Sequence, residues 1–193
     1  MLAAQFHLLS ASCSLSDNYR MRLDCGCCVL RSWAPGDEPS LVRHANNYKI
    51  WRNLRDSFPH PYTLADAKEW VAFTQRQDPQ TFFAIEVHNE AVGGIALERK
   101  SDIERCSAEI GYWLGEDVWG KGIATAAVRA LSNYGIEVLG LSRIFAVPFA
   151  HNLASIRVLE KAGYVREGVM RRSAIKRGVI LDLVLYALTD QDL

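Results

Sequence analysis

The sequence predicts a single domain of the α+β class, built around one mixed sheet. The chain has 193 residues, of which 49% are hydrophobic and 23% charged, as is typical of a soluble globular domain with one core. Short apolar runs with strand periodicity alternate with longer runs of helical spacing. Their order is strand, two helices, three strands, helix, strand, helix and two strands. No internal repeat or linker divides them.

The first predicted elements are a strand and a helix. Residues 25–31 have strand character and end at the turn residues Ala34-Pro35-Gly36-Asp37. Helical character follows from Leu41 to Leu54. The two prolines of Phe58-Pro59-His60-Pro61-Tyr62 exclude a continued helix, so this segment is predicted to be a loop.

A second helix and three strands follow this loop. Thr63 and Asp66 form a capping-box pattern, which predicts that a helix begins there and continues to Gln77. A β-hairpin is expected around His88-Asn89-Glu90. The predicted strands of this part are Thr81–Val87, Ala91–Glu98 and Ser107–Leu114.

The last third of the chain contains two helices and three strands. Apolar residues recur at helical spacing from Ile123 to Val138, and a second helix is expected over Asn152–Ala162, where Gly163 suits its C-cap. The predicted strands are Ile144–Val147, Val165–Met170 and Val179–Leu188. The final two should pair antiparallel around Lys176-Arg177-Gly178.

Charge and hydropathy disfavour several classes of partner. The formal net charge is zero, so no overall field attracts the protein to nucleic acid or to an anionic membrane. No apolar run is long enough to span a bilayer. A signal peptide requires a positively charged segment ahead of its apolar stretch, but no Lys or Arg precedes the apolar stretch of residues 1–16. We therefore expect a cytoplasmic protein with an N-terminal appendage at residues 1–20 and one domain at residues 21–193.

The cysteines are predicted to be structural. The chain has five, at positions 13, 25, 27, 28 and 106, and an odd number in a cytosolic chain argues against a disulfide framework. Cys25 and Cys28 form a C-x-x-C, but no second ligand pair stands at a suitable spacing for zinc. A strand, rather than the helix of a thioredoxin-like site, is predicted to follow them. We therefore expect the cysteines to act as small apolar residues of a strand, and we expect no metal site.

The segment VWGKGIATAA, residues 118–127, has the features of a phosphate-binding loop. It lies between the strand Glu109–Leu114 and the helix that begins near Ile123. Gly120 and Gly122 allow the backbone to approach a ligand closely. The free amides and the dipole at the start of the helix favour an anion.

Two common phosphate motifs do not fit this loop. The dinucleotide fingerprint requires a third glycine where Thr125 stands. The Walker A pattern would match Gly115, Gly120 and Lys121, but Gly122 occupies the position of the hydroxyl that must bind Mg²⁺. A cradle without metal suits the diphosphate of a coenzyme.

Two segments that follow one another along the chain together resemble a known family. The segment EIGYWLGEDVWGKGIATAAVRAL is followed, after one strand, by HNLASIRVLEKAGYVREG. Together they resemble the GNAT superfamily of acetyl-CoA-dependent N-acetyltransferases, in particular its ribosomal-protein-alanine (RimJ/RimL-like) branch, and LRSWAPGDEPSLVRHANN and RDSFPHPYT are also similar to that branch. The resemblance covers Leu23 to Leu188. It implies a mostly antiparallel sheet flanked by helices, whose central parallel strands, Glu109–Leu114 and Ile144–Val147, splay apart.

The same resemblance implies a site for acetyl-CoA, the acetyl donor, without a metal. The residues that it assigns to the pyrophosphate are Trp119, Gly120, Lys121, Gly122, Ile123, Ala124 and Thr125. It places Trp113, Leu114 and Asn152 along the pantetheine arm, and Asn152 is also expected to cap its helix. Asp117 stands where the family usually has Gln or Arg. Lys121 either neutralises a phosphate or is a solvated loop lysine.

Catalytic roles are expected for Glu109 and Ser155. Many family members have a tyrosine acid in the helix after the second central strand, and Leu159 takes that position here. Ser155 lies one turn earlier and either donates to the leaving sulfur or is a polar residue of the helix face. Glu109 is the first candidate for the general base. The alternative interpretation of Glu109 is a solvated carboxylate at the end of the strand. Glu98 and His60 are the next candidates for the base.

The resemblance also places the loop with Phe58, His60 and Tyr62 beside the acceptor. The alternative is a rigid connector, because two prolines make a loop stiff whatever it contacts.

Three functions remain open: acetylation of a peptide or protein N-terminal α-amine, acetylation of a small amine such as a polyamine, amino acid or amino sugar, and non-catalytic sensing of acyl-CoA. An α-amine has a pKa near 8 and lysine one near 10.4, so an α-amine demands less of a base. We expect a monomer or homodimer without a nucleic-acid or membrane partner.

Overall fold

The computed structural model describes residues 21–192 and contains one eight-stranded sheet. Along the sheet the strands stand in the order β1-β2-β3-β4-β5-β6-β8-β7. The strands are β1 (Arg22–Asp24), β2 (Val29–Ser32), β3 (Phe82–Val87), β4 (Glu90–Arg99), β5 (Ser107–Leu114), β6 (Arg143–Ala146), β7 (Val165–Lys176) and β8 (Val179–Thr189). The helices are α1 (Glu38–Ala45), α2 (Tyr48–Trp51), α3 (Leu64–Thr74), α4 (Ile123–Asn133) and α5 (Leu153–Lys161). The predicted α+β class is confirmed.

The sheet is mixed because β5 and β6 run parallel, whereas every other neighbouring pair of described strands is antiparallel. The parallel ladder joins only three pairs of residues, the last being Glu109 and Phe145. Beyond Glu109, β5 continues to Leu114 and pairs only with β4. A gap between the two central strands therefore opens at Glu109, as the resemblance implies.

The prediction of one strand over residues 25–31 is wrong, because a turn divides this segment into β1 and β2. Gly26 has a φ of +78°, and its N–H donates to the Asp24 carboxylate at 2.8 Å. The Cys25 N–H donates to the Cys28 carbonyl at 2.9 Å and closes the turn. The turn favoured by Asp24 and Gly26 therefore forms here, although the apolar character of the cysteines predicted a strand.

The predicted helix over Leu41–Leu54 is divided into α1 and α2. Asn47 has an extended backbone and caps α2, because its side chain accepts the Lys49 N–H at 2.8 Å. An asparagine that bonds its own backbone competes with a continuous helix. In contrast, the capping box at the start of α3 is confirmed, since Thr63 and Asp66 each accept the backbone N–H of the other.

The final hairpin also forms as predicted around Lys176-Arg177-Gly178, although β7 is longer than expected. Arg177 and Gly178 have φ values of +52° and +77°, as a tight two-residue hairpin turn requires. The ladder is irregular between Met170 and Ala174, and the strand continues past this irregularity to Lys176. The predicted helix from Ile123 to Val138 is α4 followed by a π-helical turn over Tyr134–Val138.

Two apolar cores lie on opposite sides of the sheet. The larger core packs α4 and α5 against the sheet and includes Ile110, Leu131 and Leu159. The smaller core lies under α1 and α3 and includes Trp33 and Leu41. Residues on alternate positions of β5 therefore face different cores. We call the side of β5 with Glu109, Gly111 and Trp113 the acceptor face, and the side with Ile110, Tyr112 and Leu114 the α4 face.

Among residues 21–192, no helix has both the length and the apolar character needed to cross a bilayer.

Replacing Gly93 with Ala should destabilise the fold. A Cβ at Gly93 would lie 2.5 Å from the Trp113 carbonyl oxygen, so the β5 backbone would have to move. We expect the free energy of unfolding in urea to fall by about 2 kcal/mol. Gly168→Ala is the control, because its added Cβ meets no atom within 4 Å. Equal stabilities of the two variants would contradict this account of the packing between β4 and β5.

Candidate active site

One cavity of about 990 Å³ follows the gap between β5 and β6. Residues of the glycine loop line one end, and residues of β4, β5 and the segment after α2 line the other. The start of α5 forms part of the wall between them. A volume of this size suits a ligand as large as a coenzyme.

The glycine loop has the open backbone geometry that a phosphate cradle needs. The Trp119 indole N–H donates to the Leu114 carbonyl at 2.7 Å and fixes the loop to the end of β5. Gly120 and Gly122 have φ values of +75° and +79°, and Gly122 is the N-cap of α4 without a side-chain cap. An added Cβ at either glycine would meet no atom within 4 Å. The loop therefore leaves free space above its backbone.

The amides of this loop can receive an anion. Within the described part of the chain, the six N–H groups of residues 120–125 donate to no acceptor. These groups belong to the loop and the first turn of α4, where the helix dipole also favours negative charge. Lys121 is exposed, and its Nζ donates to the Asp117 carbonyl at 3.2 Å, so its side chain folds back on its own loop. The donor set fits a diphosphate without a metal, and no metal-binding cluster occurs within residues 21–192.

At the far end of β5, strand geometry positions Leu114 beside the gap. The Gly115 N–H donates to the Val92 carbonyl of β4 at 2.7 Å. Because amides alternate along a strand, the Leu114 N–H is directed away from β4 and towards the gap. The Trp113 side chain lies on the acceptor face, where its ring is 5.8 Å from that of Phe58.

The first turn of α5 brings Asn152 and Ser155 to the cavity. Asn152 is the N-cap, as expected, and its side chain accepts the Ser155 N–H at 3.3 Å. Leu159, which replaces the usual tyrosine, is fully buried in the larger core and is not part of the cavity wall.

Tyr112, which the sequence analysis did not single out, contacts Ser155 directly. Its hydroxyl lies 2.8 Å from the Ser155 Oγ, and burial raises the pKa of Tyr112 to about 12. Strand alternation could have placed Tyr112 on the face opposite Glu109. The contact with Ser155 could not be predicted, because the two residues are 43 positions apart.

Glu109 lies on the acceptor face at the point where β5 and β6 separate. Its side chain is 15% exposed and forms an ion pair with the Arg55 Nη2, and the Lys100 Nζ lies 3.3 Å from its other oxygen. Glu98 is its direct partner on β4 and also lines the cavity. Neither cation was predicted beside Glu109, and Arg55 belongs to a segment 54 residues away, so no local pattern links it to this carboxylate.

The structure separates the three residues expected beside the acceptor. Phe58 lines the cavity and contacts Trp113 and Tyr62. Tyr62 is only 5% exposed and belongs to the smaller core, where burial raises its pKa. His60 is exposed and stacks on Trp51, with the ring centres 5.1 Å apart. Neither residue is part of the cavity wall, because Tyr62 turns inward ahead of α3 and His60 turns towards α2.

An aromatic and ionic cluster beyond Trp51 was also not predicted. The Lys176 Nζ lies 4.1 Å from the centre of the Trp51 ring and donates to the Asp56 carboxylate at 2.7 Å. Lys176 lines the acceptor end of the cavity together with Asp56. The tip of the β7–β8 hairpin thereby packs against the segment that follows α2.

Comparisons with known proteins agree with this geometry. The chain is 37% identical over 91 residues to the uncharacterized N-acetyltransferase p20 of Bacillus licheniformis, covering 47% of this chain and 51% of that one. It is 30% identical over 105 residues to the ribosomal-protein-serine acetyltransferase of Escherichia coli K12, covering 54% of this chain and 58% of the relative. The chain thus spans about half the length of these curated relatives.

The fold is also similar to a solved structure. RimL, described as a ribosomal L7/L12 alpha-N-protein acetyltransferase in complex with coenzyme A, superposes with a TM-score of 0.78 at 21% identity. The match covers 88% of this chain and 98% of RimL. The family model described as an acetyltransferase (GNAT) domain matches residues 28–165. This chain therefore belongs to the GNAT acetyltransferase domain family.

Proposed function

We propose that the protein transfers an acetyl group from acetyl-CoA to a primary amine, and that this amine is the N-terminal α-amine of a peptide or protein. The observation that carries the proposal is one cavity that joins the free amides of the glycine loop to Glu109. The transfer would occur by direct attack of the amine, without a covalent enzyme intermediate.

The glycine loop would hold the diphosphate of the coenzyme. Its six free amides supply donors at fixed positions, and the dipole of α4 adds to their attraction. Arg157 and Lys161 of α5 line the same cavity and are available to further phosphate groups. Coenzyme A, when bound, would supply the acetyl group as a thioester, and Leu114 and Asn152 would contact the arm that carries it.

Glu109 would accept the proton of the attacking amine. Its carboxylate is paired with Arg55 and Lys100 at the point where β5 and β6 separate. An α-amine with a pKa near 8 demands less of any base than lysine does, since the difference in deprotonation is roughly 3 kcal/mol. This smaller demand favours an α-amine as the acceptor.

Ser155 would assist the departure of the thiolate. A thiol with a pKa near 8.5 leaves without a strong acid, so a hydrogen bond from the Ser155 hydroxyl to the sulfur is sufficient. Leu159 stands at the position where the resemblance implies a tyrosine, and it is buried in the larger core, away from the cavity wall.

The charges at the acceptor end do not favour a polyamine. Four cationic side chains line this part of the cavity: Lys49, Arg52, Arg55 and Lys176. Lys49, Arg55 and Lys176 are paired with acids, which leaves little net negative charge to attract a polycation. A non-catalytic sensor would not require Glu109 and Ser155 on the wall of one cavity.

Replacing Gly122 with Ala should weaken coenzyme A binding. The methyl group would enter the free space above the loop, and the positive φ would strain the amides at the start of α4. We expect about a tenfold rise in the dissociation constant, corresponding to 1.4 kcal/mol, measured by calorimetry with coenzyme A.

Gly26→Ala is the matched control for this variant. Gly26 has a φ of +78°, compared with +79° for Gly122, and its added Cβ also meets no atom within 4 Å. The two variants should lose similar stability, but only Gly122→Ala should lose affinity. Equal affinities would remove the loop from the coenzyme site.

Replacing Glu109 with Gln should change the pH dependence of acetyl transfer. The loss of the base should lower kcat/KM about 100-fold at pH 7 with a peptide acceptor. Because more of the α-amine is neutral at higher pH, the deficit should shrink as the pH rises through about 8. Coenzyme A release measured from pH 6 to 9 provides the profile.

Glu98→Gln is the comparison, since Glu98 lies directly opposite Glu109 on β4. Its kcat/KM should stay near that of the wild-type enzyme. If Glu98→Gln shows the pH-dependent deficit and Glu109→Gln does not, Glu98 is the base instead.

A further inference from the structure

The contact between Tyr112 and Ser155 extends the proposed function, on which this inference rests. Tyr112 reaches from the α4 face of β5 to the first turn of α5. Its hydroxyl lies 2.8 Å from the Ser155 Oγ and 3.1 Å from the Ser155 carbonyl oxygen. Both residues line the cavity. The contact therefore lies beside the proposed path of the thioester.

A serine in the first turn of a helix has competing hydrogen-bond partners. Serine hydroxyls in helices commonly donate to the carbonyl three or four residues earlier. For Ser155 these are the carbonyls of Asn152 and His151. A proton directed to either carbonyl would be unavailable to a ligand in the cavity.

The Tyr112 hydroxyl offers a different arrangement. The phenol has one proton and two acceptors within reach, the Ser155 Oγ at 2.8 Å and the Ser155 carbonyl oxygen at 3.1 Å. When the proton is donated to the nearer Oγ, the serine oxygen acts as acceptor and the serine proton is free for a third partner. The pKa of Tyr112 is raised to about 12 by burial, so the phenol keeps its proton at neutral pH. Tyr112 is thus a persistent donor and does not supply a proton to the reaction.

A neighbouring phenol cannot take this role. The Tyr164 hydroxyl lies 2.7 Å from the Ser132 Oγ, which donates to the Val128 carbonyl at 2.8 Å. Tyr164 is only 4% exposed and belongs to the larger core. Its hydroxyl already has a partner away from the cavity.

We infer that Tyr112 is a positioning residue that donates its hydroxyl proton to Ser155 and directs the Ser155 proton at the departing sulfur. During transfer the nitrogen–carbon bond forms, the carbon–sulfur bond breaks, and its electron pair leaves with sulfur. The amine proton passes to Glu109. Ser155 stabilises the thiolate by a hydrogen bond and keeps its proton, so neither hydroxyl becomes charged.

The substitution Tyr112→Phe tests this inference, because it removes the hydroxyl and keeps the ring. We expect kcat to fall about tenfold, the size of one lost hydrogen bond, while KM for acetyl-CoA changes less than twofold. Ser155→Ala should lower kcat at least as much. The double variant should be no slower than Ser155→Ala, because Tyr112 would act only through Ser155.

Tyr134→Phe is the control. Tyr134 is a buried tyrosine, whereas Tyr112 is half-buried, and the Tyr134 hydroxyl donates to the Gln80 carbonyl at 3.3 Å, away from the cavity. Its kcat should match that of the wild-type enzyme. This comparison separates the general cost of removing a buried hydroxyl from a specific effect on Ser155.

Several results would overturn the inference. These are full kcat in Tyr112→Phe, a loss confined to KM, losses that multiply in the double variant, or a thermal midpoint lowered by more than about 10 °C, which would indicate a structural role. A wild-type enzyme that releases no coenzyme A with any peptide or amine would overturn the proposed function as well. An active wild-type enzyme with a fully active Tyr112→Phe variant overturns this inference alone.

Discussion

The divergence of β5 and β6 after three parallel residue pairs determines the rest of the site. Up to Glu109 the two strands belong to a continuous sheet, and beyond it β5 is held from one side only, by β4. The opened edge creates a cavity in the middle of the sheet without a break in the cores on either side. The glycine loop follows the free end of β5, and α5 follows β6. Both elements therefore flank one gap.

An opened strand edge leaves backbone groups that must find other partners. At the end of β5 the Trp119 indole satisfies the Leu114 carbonyl at 2.7 Å. On the other side of the gap, the segment after β6 is tied to β8, because the Ala150 N–H donates to the Asp182 carbonyl at 2.9 Å. The gap is thus fixed at both margins.

The features that the sequence predicted are local ones. The capping box at Thr63, the glycine loop with its helix start and the Asn152 cap each depend on residues a few positions apart, so pattern and propensity suffice. The family resemblance supplied the splayed strands. Contacts between distant segments could not be predicted: Arg55 reaches Glu109 across 54 positions, and Tyr112 reaches Ser155 across 43. The turn at Gly26 was missed although its signal is local, because the cysteines around it were interpreted as strand residues.

The alternation of β5 explains how one strand can serve both halves of the proposed reaction. Glu109 stands on the acceptor face, whereas Tyr112 reaches α5 from the α4 face, so proton removal and thiolate departure would be separated by the thickness of the strand. A shift of one residue in register would exchange the two faces, and the long ladder with β4 prevents it. Gly111 lies between these two residues, and a Cβ there would meet no protein atom within 4 Å. The strand therefore leaves room at the point where an amine on one side would meet a thioester in the gap.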